Sequence, residues 1–187
     1  MRAIAPGRLH HALRALRAGG VIAYPTEGVW GLGCDPRDEA AILRLLHLKR
    51  RDWRKGLILI ACDFAQLEPY VERPSRAALE RALATWPGPY TWVFPCAAGV
   101  SPLLVGAHDS IAVRVTAHPV AAELCAAFGG ALVSTSANVS AHPPARSASE
   151  VRLAFGRRID ALVPGALGGL DKPTPIRHVV SGLILRS

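Results

Sequence analysis

Strand-like and helix-like stretches alternate irregularly along these 187 residues, and that order excludes most architectures open to a mixed α/β chain. A regular strand-helix repeat would build a doubly wound or barrel sheet of parallel strands, and the chain has no such repeat. It also lacks the Gly-Lys-Ser/Thr step that closes a phosphate-binding loop. What remains is an α/β chain of α+β character, a mixed twisted sheet flanked by helices. No internal boundary is visible, so residues 1–187 are expected to form one domain that buries roughly two-thirds of its unfolded surface.

Leu9, Leu13 and Leu16 recur at helical spacing up to Gly19-Gly20, a C-terminal stop, and Val21 to Tyr24 then reads as a strand. Asp35-Pro36 opens a second helix with Ala40, Ile42, Leu45, Leu46 and Leu48 on its apolar face. Strand candidates follow at Leu57 to Ala61, Tyr90 to Phe94, Ile111 to Val115 and Ala131 to Thr135. Between them, Asp63 caps a short helix, Ser75 starts another to about Thr85, and Pro119 to Phe128 forms a third. Ser147-Ala148-Ser149-Glu150 fits a capping box for a helix to Phe155. The last fifth holds short strand candidates at Ile159 to Val163, Ile176 to Ser181 and Leu183 to Arg186.

Half the residues are hydrophobic, as in a globular fold. No apolar run approaches the ~20 residues of a membrane span, and Met1 to Arg17 lacks the apolar centre of a secretory signal. A cytoplasmic location without membrane contact is expected. The net charge of +8 calls for an anionic partner, and nucleotide and RNA both qualify. Cys34, Cys62, Cys96 and Cys125 stand about thirty residues apart, which matches neither a zinc site nor a redox dithiol. They read as buried, reduced thiols, and no structural metal is expected.

All but three of the 22 basic residues are arginine, yet two of the three lysines fall in Leu48-Lys49-Arg50-Arg51-Asp52-Trp53-Arg54-Lys55-Gly56. A lysine is a compact point charge where arginine is a planar fork, so the cluster reads either as a polyphosphate site or as a solvated basic turn. A second feature is Ser134-Thr135-Ser136-Ala137-Asn138 at the end of a buried strand. Small hydroxyl and amide groups there either face a ligand at the sheet's carboxyl edge or cap a following helix.

Lys49-x-Arg51 with a later Ser136-x-Asn138 resembles the YrdC/TsaC family, the threonylcarbamoyl-AMP synthases, in its short single-domain bacterial form. Further segments fall in the family's order: Tyr24 to Gly33, Lys55 to Ala61, Trp86 to Thr91, Ile111 to Val115 with His118-Pro119, and Lys172 to Ile176. The resemblance implies a twisted mixed sheet around an electropositive concave surface. It implies an enzyme that joins L-threonine, bicarbonate or CO2, and ATP into threonylcarbamoyl-AMP, releasing pyrophosphate, for a transferase complex that modifies tRNA beside the anticodon. Lys49 and Arg51 would be the catalytic cations, and Lys55, Ser134, Ser136 and Asn138 would join them around ATP. Thr26, Arg114, Thr91 and Thr174 would bind threonine, and Mg²⁺ would ride on the phosphates.

The chain departs from the family pattern at Gly28, where threonine is usual, at Trp30, often tyrosine, at Ala141, commonly glycine, and at His178, usually aspartate. It stops at Ser187, close after the arginine that usually precedes a glycine. Two other readings remain open. One is a non-catalytic module that binds tRNA or double-stranded RNA, or serves ribosome maturation, through phosphate contacts. The other is a carbamoyl-transfer domain acting on carbamoyl phosphate. Aromatic content of 6% argues against base reading of single strands.

Overall fold

A computed structural model describes residues 3–171 and 174–186. Lys172 and Pro173 of one motif, and the terminal Ser187, lie outside the described residues. Helix α1 (Pro6–Arg17) leads into strand β1 (Ile22–Pro25), which turns back as β2 (Trp30–Gly33). Helix α2 (Glu39–Lys49) ends at the basic turn, whose Trp53–Lys55 forms one 3-10 turn before β3 (Ile58–Ala61). Then come α3 (Arg76–Leu83), β4 (Thr91–Pro95), α4 (Pro102–Val105), β5 (Ser110–Val115), α5 (Pro119–Phe128) and β6 (Leu132–Ser136). The chain closes with α6 (Ala148–Phe155), β7 (Ala161–Leu162), β8 (Ile176–His178) and β9 (Ile184–Arg186).

Among the described residues, nine strands join in the order β7-β1-β2-β6-β3-β5-β4-β8-β9. Three pairs are parallel (β1 with β7, β3 with β5, β4 with β8) and the others antiparallel, so the sheet is mixed as the irregular sequence order requires. Residues alternate between faces along each strand. Val21, Ala23, Leu59, Ala61 and Val133 pack into the larger core with α2 and α6. Ile22, Tyr24, Ile60 and Leu132 pack on the other face against α1 and α5. Each of the Val, Leu and Ile side chains among them, once fully buried, contributes about 1.5–3 kcal/mol of transfer free energy.

Several boundaries differ from the sequence expectation. Helix α2 begins three residues after Pro36, because Asp38 accepts from Ala41 N at 3.0 Å and so caps it. Asp35 instead pairs with Arg37 at 2.9 Å. Asp63 accepts from Gln66 N at 3.1 Å in a turn, and the only helical piece nearby is the 3-10 turn Glu68–Tyr70. Ser75 and Ser147 cap α3 and α6 as their sequences predict. Strand β2 has no counterpart in the sequence reading, since two of its four residues are glycine. At Gly33 a Cβ would collide with the Val133 carbonyl oxygen. The cysteine expectation holds for Cys34 and Cys125, which are buried; Cys62 and Cys96 are half-buried, and all four are free thiols.

Candidate functional site

Helices α1 and α5 cover only part of their sheet face. Leu132 and Ile60 lie beneath α5, but two residues further along β6, and in register on β3, that face carries Ser134 opposite Ile58, and β2 brings Gly31 opposite Ser136. A cavity of about 270 Å³ opens there. Thr26, Arg51, Arg114, Ser134, Ser136 and Arg186 contribute its polar walls. Gly31 keeps it open, for a Cβ at that position would meet Thr26 Cγ2 at 3.2 Å and Ser134 Oγ at 3.5 Å.

Arg114 is 4% exposed, deep in the cavity. Its Nη1 donates to Thr91 Oγ1 at 3.0 Å and to Thr174 Oγ1 at 2.8 Å, while Nη2 stands 3.3 Å from Glu27 Oε2. Glu27 is itself buried and accepts from Thr116 Oγ1 at 2.6 Å. A guanidinium fixed on these sides still has a buried Nε with no partner. Thr26 donates its hydroxyl to Val29 O at 2.7 Å, which closes the tight turn between β1 and β2 at the cavity wall.

Arg51 donates from Nη2 to Gly56 O at 2.9 Å, and its Nε is also buried without a partner. Burial pulls its guanidinium below the ordinary arginine value. Arg186 donates to Thr174 O at 2.8 Å. Its guanidinium is lowered by burial and then by repulsion from Arg114 and Arg51, so three cations converge on one space. An enclosed cluster of like charges is relieved by an anion. Among the described residues, none that lines this cavity is a carboxylate, so they offer no anionic ligand for Mg²⁺.

Lys49 is 2% exposed and does not line the cavity. Its Nζ donates to Ser136 O, to Asn138 O at 2.8 Å and to Asn138 Oδ1 at 3.1 Å, so it ties down the turn after β6. Asn138 Oδ1 also accepts from Ser136 Oγ at 2.6 Å, and Nδ2 donates to His142 O at 2.6 Å. Lys49, Ser136 and Asn138 thus form one hydrogen-bond network, and Arg51 and Ser136 line the cavity that Lys49 and Asn138 do not. Lys55 lines an adjoining space. Thr91 is fully buried and reaches the cavity through Arg114.

Glu27, Thr116 and Arg186 were not singled out as site residues from the sequence. Glu27 gave at most a faint signal, as a lone acid two residues after a buried strand. Arg186 had a weaker one, the only charge in a terminal apolar run.

Comparison with known proteins bears on the family and the fold. The family model for Sua5, YciO and YrdC, described as "Telomere recombination", matches residues 14–187. The threonylcarbamoyl-AMP synthase of Halorhodospira halophila is 60% identical over 181 residues, covering 97% of this chain and 95% of that protein. The protein of the same name from Coxiella burnetii is 49% identical over 178 residues, covering 95% and 96%. Among solved structures, P. abyssi Sua5 complexed with L-threonine superposes with a TM-score of 0.86 at 31% identity, covering 91% of this chain. This chain spans half the length of that protein. E. coli YciO superposes with a TM-score of 0.83 at 25% identity, covering 96% of this chain and 88% of YciO. A mixed sheet of this strand order and a sequence match across nearly its whole length place the chain in one family: it belongs to the Sua5/YciO/YrdC family.

Proposed function

We propose that this chain is a threonylcarbamoyl-AMP synthase, acting in the cytoplasm on L-threonine, bicarbonate or CO2, and ATP. The observation that supports this most is the convergence of Arg51, Arg114 and Arg186 on a cavity whose remaining polar walls are neutral hydroxyls. The reaction requires no protein nucleophile. The threonine amine adds to CO2 with loss of a proton, giving a carbamate. A carbamate oxygen then forms a bond to the α-phosphorus as the bond to the pyrophosphate oxygen breaks. Such a step depends on alignment and on neutralising the phosphates' charge.

In this reading Arg114, oriented by Thr91, Thr174 and Glu27, takes the threonine carboxylate through a charge-assisted pair. Thr26 lines the amino-acid side. Arg51, Arg186 and Lys55 take the phosphates, and Ser134 and Ser136 donate to phosphate or ribose oxygens. Lys49 and Asn138 act by fixing the turn that presents Ser136. Since the described walls supply no carboxylate, Mg²⁺ would come with the phosphates, supplying charge neutralisation there. The product would pass to a transferase complex that modifies adenosine beside the tRNA anticodon. A module holding nucleic-acid backbone would want its cations on an open surface, whereas Arg114 is buried. The test is pyrophosphate release: the synthase requires ATP and threonine together, and release that is indifferent to threonine would sink the reading.

A further inference from the structure

The turn after α2 sets a tryptophan on the surface beside a leucine. Trp53 is 41% exposed and Leu43, on α2, is 53% exposed. Both line a surface groove of about 720 Å³ together with the buried Leu46 and Leu48. Trp53 is held on a bonded turn: Asp52 Oδ1 accepts from Arg54 N at 3.0 Å, and Gly56 N donates to Trp53 O at 3.0 Å. Arg50 and Arg158 add cations to the groove's walls. Arg158 is fixed there by donating from Nε to Phe155 O at 3.2 Å and from Nη2 to Ala154 O. Arg50 ends α2 at φ 48°, a left-handed conformation that is strained for an L-residue and that glycine usually takes at a helix end. Among the described residues, Arg50 enters none of the ion pairs. Asp52 is the one carboxylate among the described residues that line the groove, and its Oδ2 already lies 3.6 Å from Arg54 Nη1.

We infer that this groove is a docking site for another protein, which inserts one large apolar side chain between Leu43 and Trp53 and sets carboxylates against Arg50 and Arg158. The inference does not depend on which reaction the cavity performs. A rigid, exposed tryptophan among arginines has the composition of an interface core, and exposed apolar surface of this kind marks an interaction site. The charge selects the partner: the walls are cationic and their own acid is already engaged, so complementarity calls for carboxylates. The strain at Arg50 agrees with this, because it holds a charged side chain with no ion-pair partner in its own chain at the groove's wall. A nucleic acid would also meet the charge, but a base finds little to rest on. The Arg54 guanidinium lies 5.9 Å from the centre of the Trp53 ring, and the other apolar walls are leucines, whereas single strands are held on successive aromatic platforms. Arg51 belongs to both the groove and the cavity, so a docked segment lies against a side chain of the candidate site.

Trp30, Trp86 and Trp92 are buried, so acrylamide quenching of the full chain's tryptophan fluorescence reports on Trp53. The probe is a blocked peptide with one phenylalanine flanked on each side by glutamates. It is expected to lower the quenching constant saturably, by about twofold or more, as an interface that excludes water from its core requires. The same peptide with serine for phenylalanine, or with lysine for glutamate, should not protect Trp53, and neither should single-stranded oligouridylate. Leu43→Ser should weaken binding of the glutamate-phenylalanine peptide by about tenfold, the usual effect of truncating a central apolar contact. Arg50→Gly removes the cation while suiting the left-handed backbone, so it should fold at least as well as wild type and bind the peptide about fivefold or more weakly. No protection by the glutamate-phenylalanine peptide, equal protection by either altered peptide, or unchanged affinity in either folded variant overturns the inference. Protection by oligouridylate at the same or lower concentration assigns the groove to nucleic acid and overturns it as well.

Discussion

At the scale of single residues, Lys49 couples the basic turn to the strand that ends in Ser136. Its three acceptors match the three protons of an ammonium, yet burial, with repulsion from Arg51, pulls its pKa down to about 7. In the unfolded chain a lysine holds its proton to about 10.4. Between those values the unfolded chain carries one proton more than the folded one, so this group's contribution to stability rises with pH. Wild type should therefore gain stability relative to Lys49→Met from about pH 7 to about pH 10, by at most ~1.4 kcal/mol per pH unit. Urea unfolding at several pH values measures the difference, and a flat or falling curve contradicts the assignment. Ala141 makes a separate prediction. It sits at φ 67°, a left-handed conformation that costs an L-residue about 1–2 kcal/mol. Ala141→Gly relieves that strain but loosens the unfolded chain, so a net gain of up to about 1 kcal/mol is expected. A lower urea midpoint would contradict it. The family resemblance implies glycine at this position, and the left-handed backbone is a physical reason for it.

At the scale of elements, β2 is the strand on which the site depends and the one least visible in the sequence. Trp30-Gly31-Leu32-Gly33 has too little side chain to signal a strand, because its glycines answer to tertiary contacts: Gly31 to the cavity, Gly33 to the backbone of β6. Gly33→Ala should destabilise by more than about 2 kcal/mol through forced separation of β2 and β6. Chemical denaturation measures this, and a cost below 0.5 kcal/mol, the ordinary range of surface substitutions, would refute it. Elements with strong local signals were legible: the Ser75 and Ser147 caps, apolar strands such as Ile58–Ala61, and the face of α2 formed by Ile42, Leu45, Leu46 and Leu48, on which Ala41 is buried and the expected Ala40 is exposed. Weakly marked ones were not. The four-residue α4 is too short for a period, and Ile159 to Val163 pairs only through Ala161 and Leu162, where β1 is available.

At the scale of the whole molecule, distant segments bring three guanidiniums together against one buried carboxylate. Arg51 comes from the turn after α2, Arg114 from β5 and Arg186 from β9. The sequence announced the first by its charge cluster and the second through its motif. The third and Glu27 become meaningful only when the sheet has closed, because neither stands in a charged neighbourhood along the chain. Such a cluster should bind anions before it does chemistry. Pyrophosphate or ATP at 100 times its dissociation constant should stabilise the fold by about 2.7 kcal/mol, and Arg51→Ala should remove most of that gain while reducing synthesis by about 10- to 1,000-fold. Thermal unfolding with and without ligand reads the first effect. An unchanged ligand shift in Arg51→Ala would place the anion elsewhere.

On the proposed function, these side chains join threonine, CO2 and ATP in one molecule. Incubating the protein with ¹³C-bicarbonate, threonine and ATP, and weighing the nucleotide product by mass spectrometry, tests it most directly. The expected product is an adenylate that contains threonine and one labelled carbon, formed in equal amount to pyrophosphate. Pyrophosphate with AMP alone, an unlabelled adenylate, or no nucleotide product would contradict it.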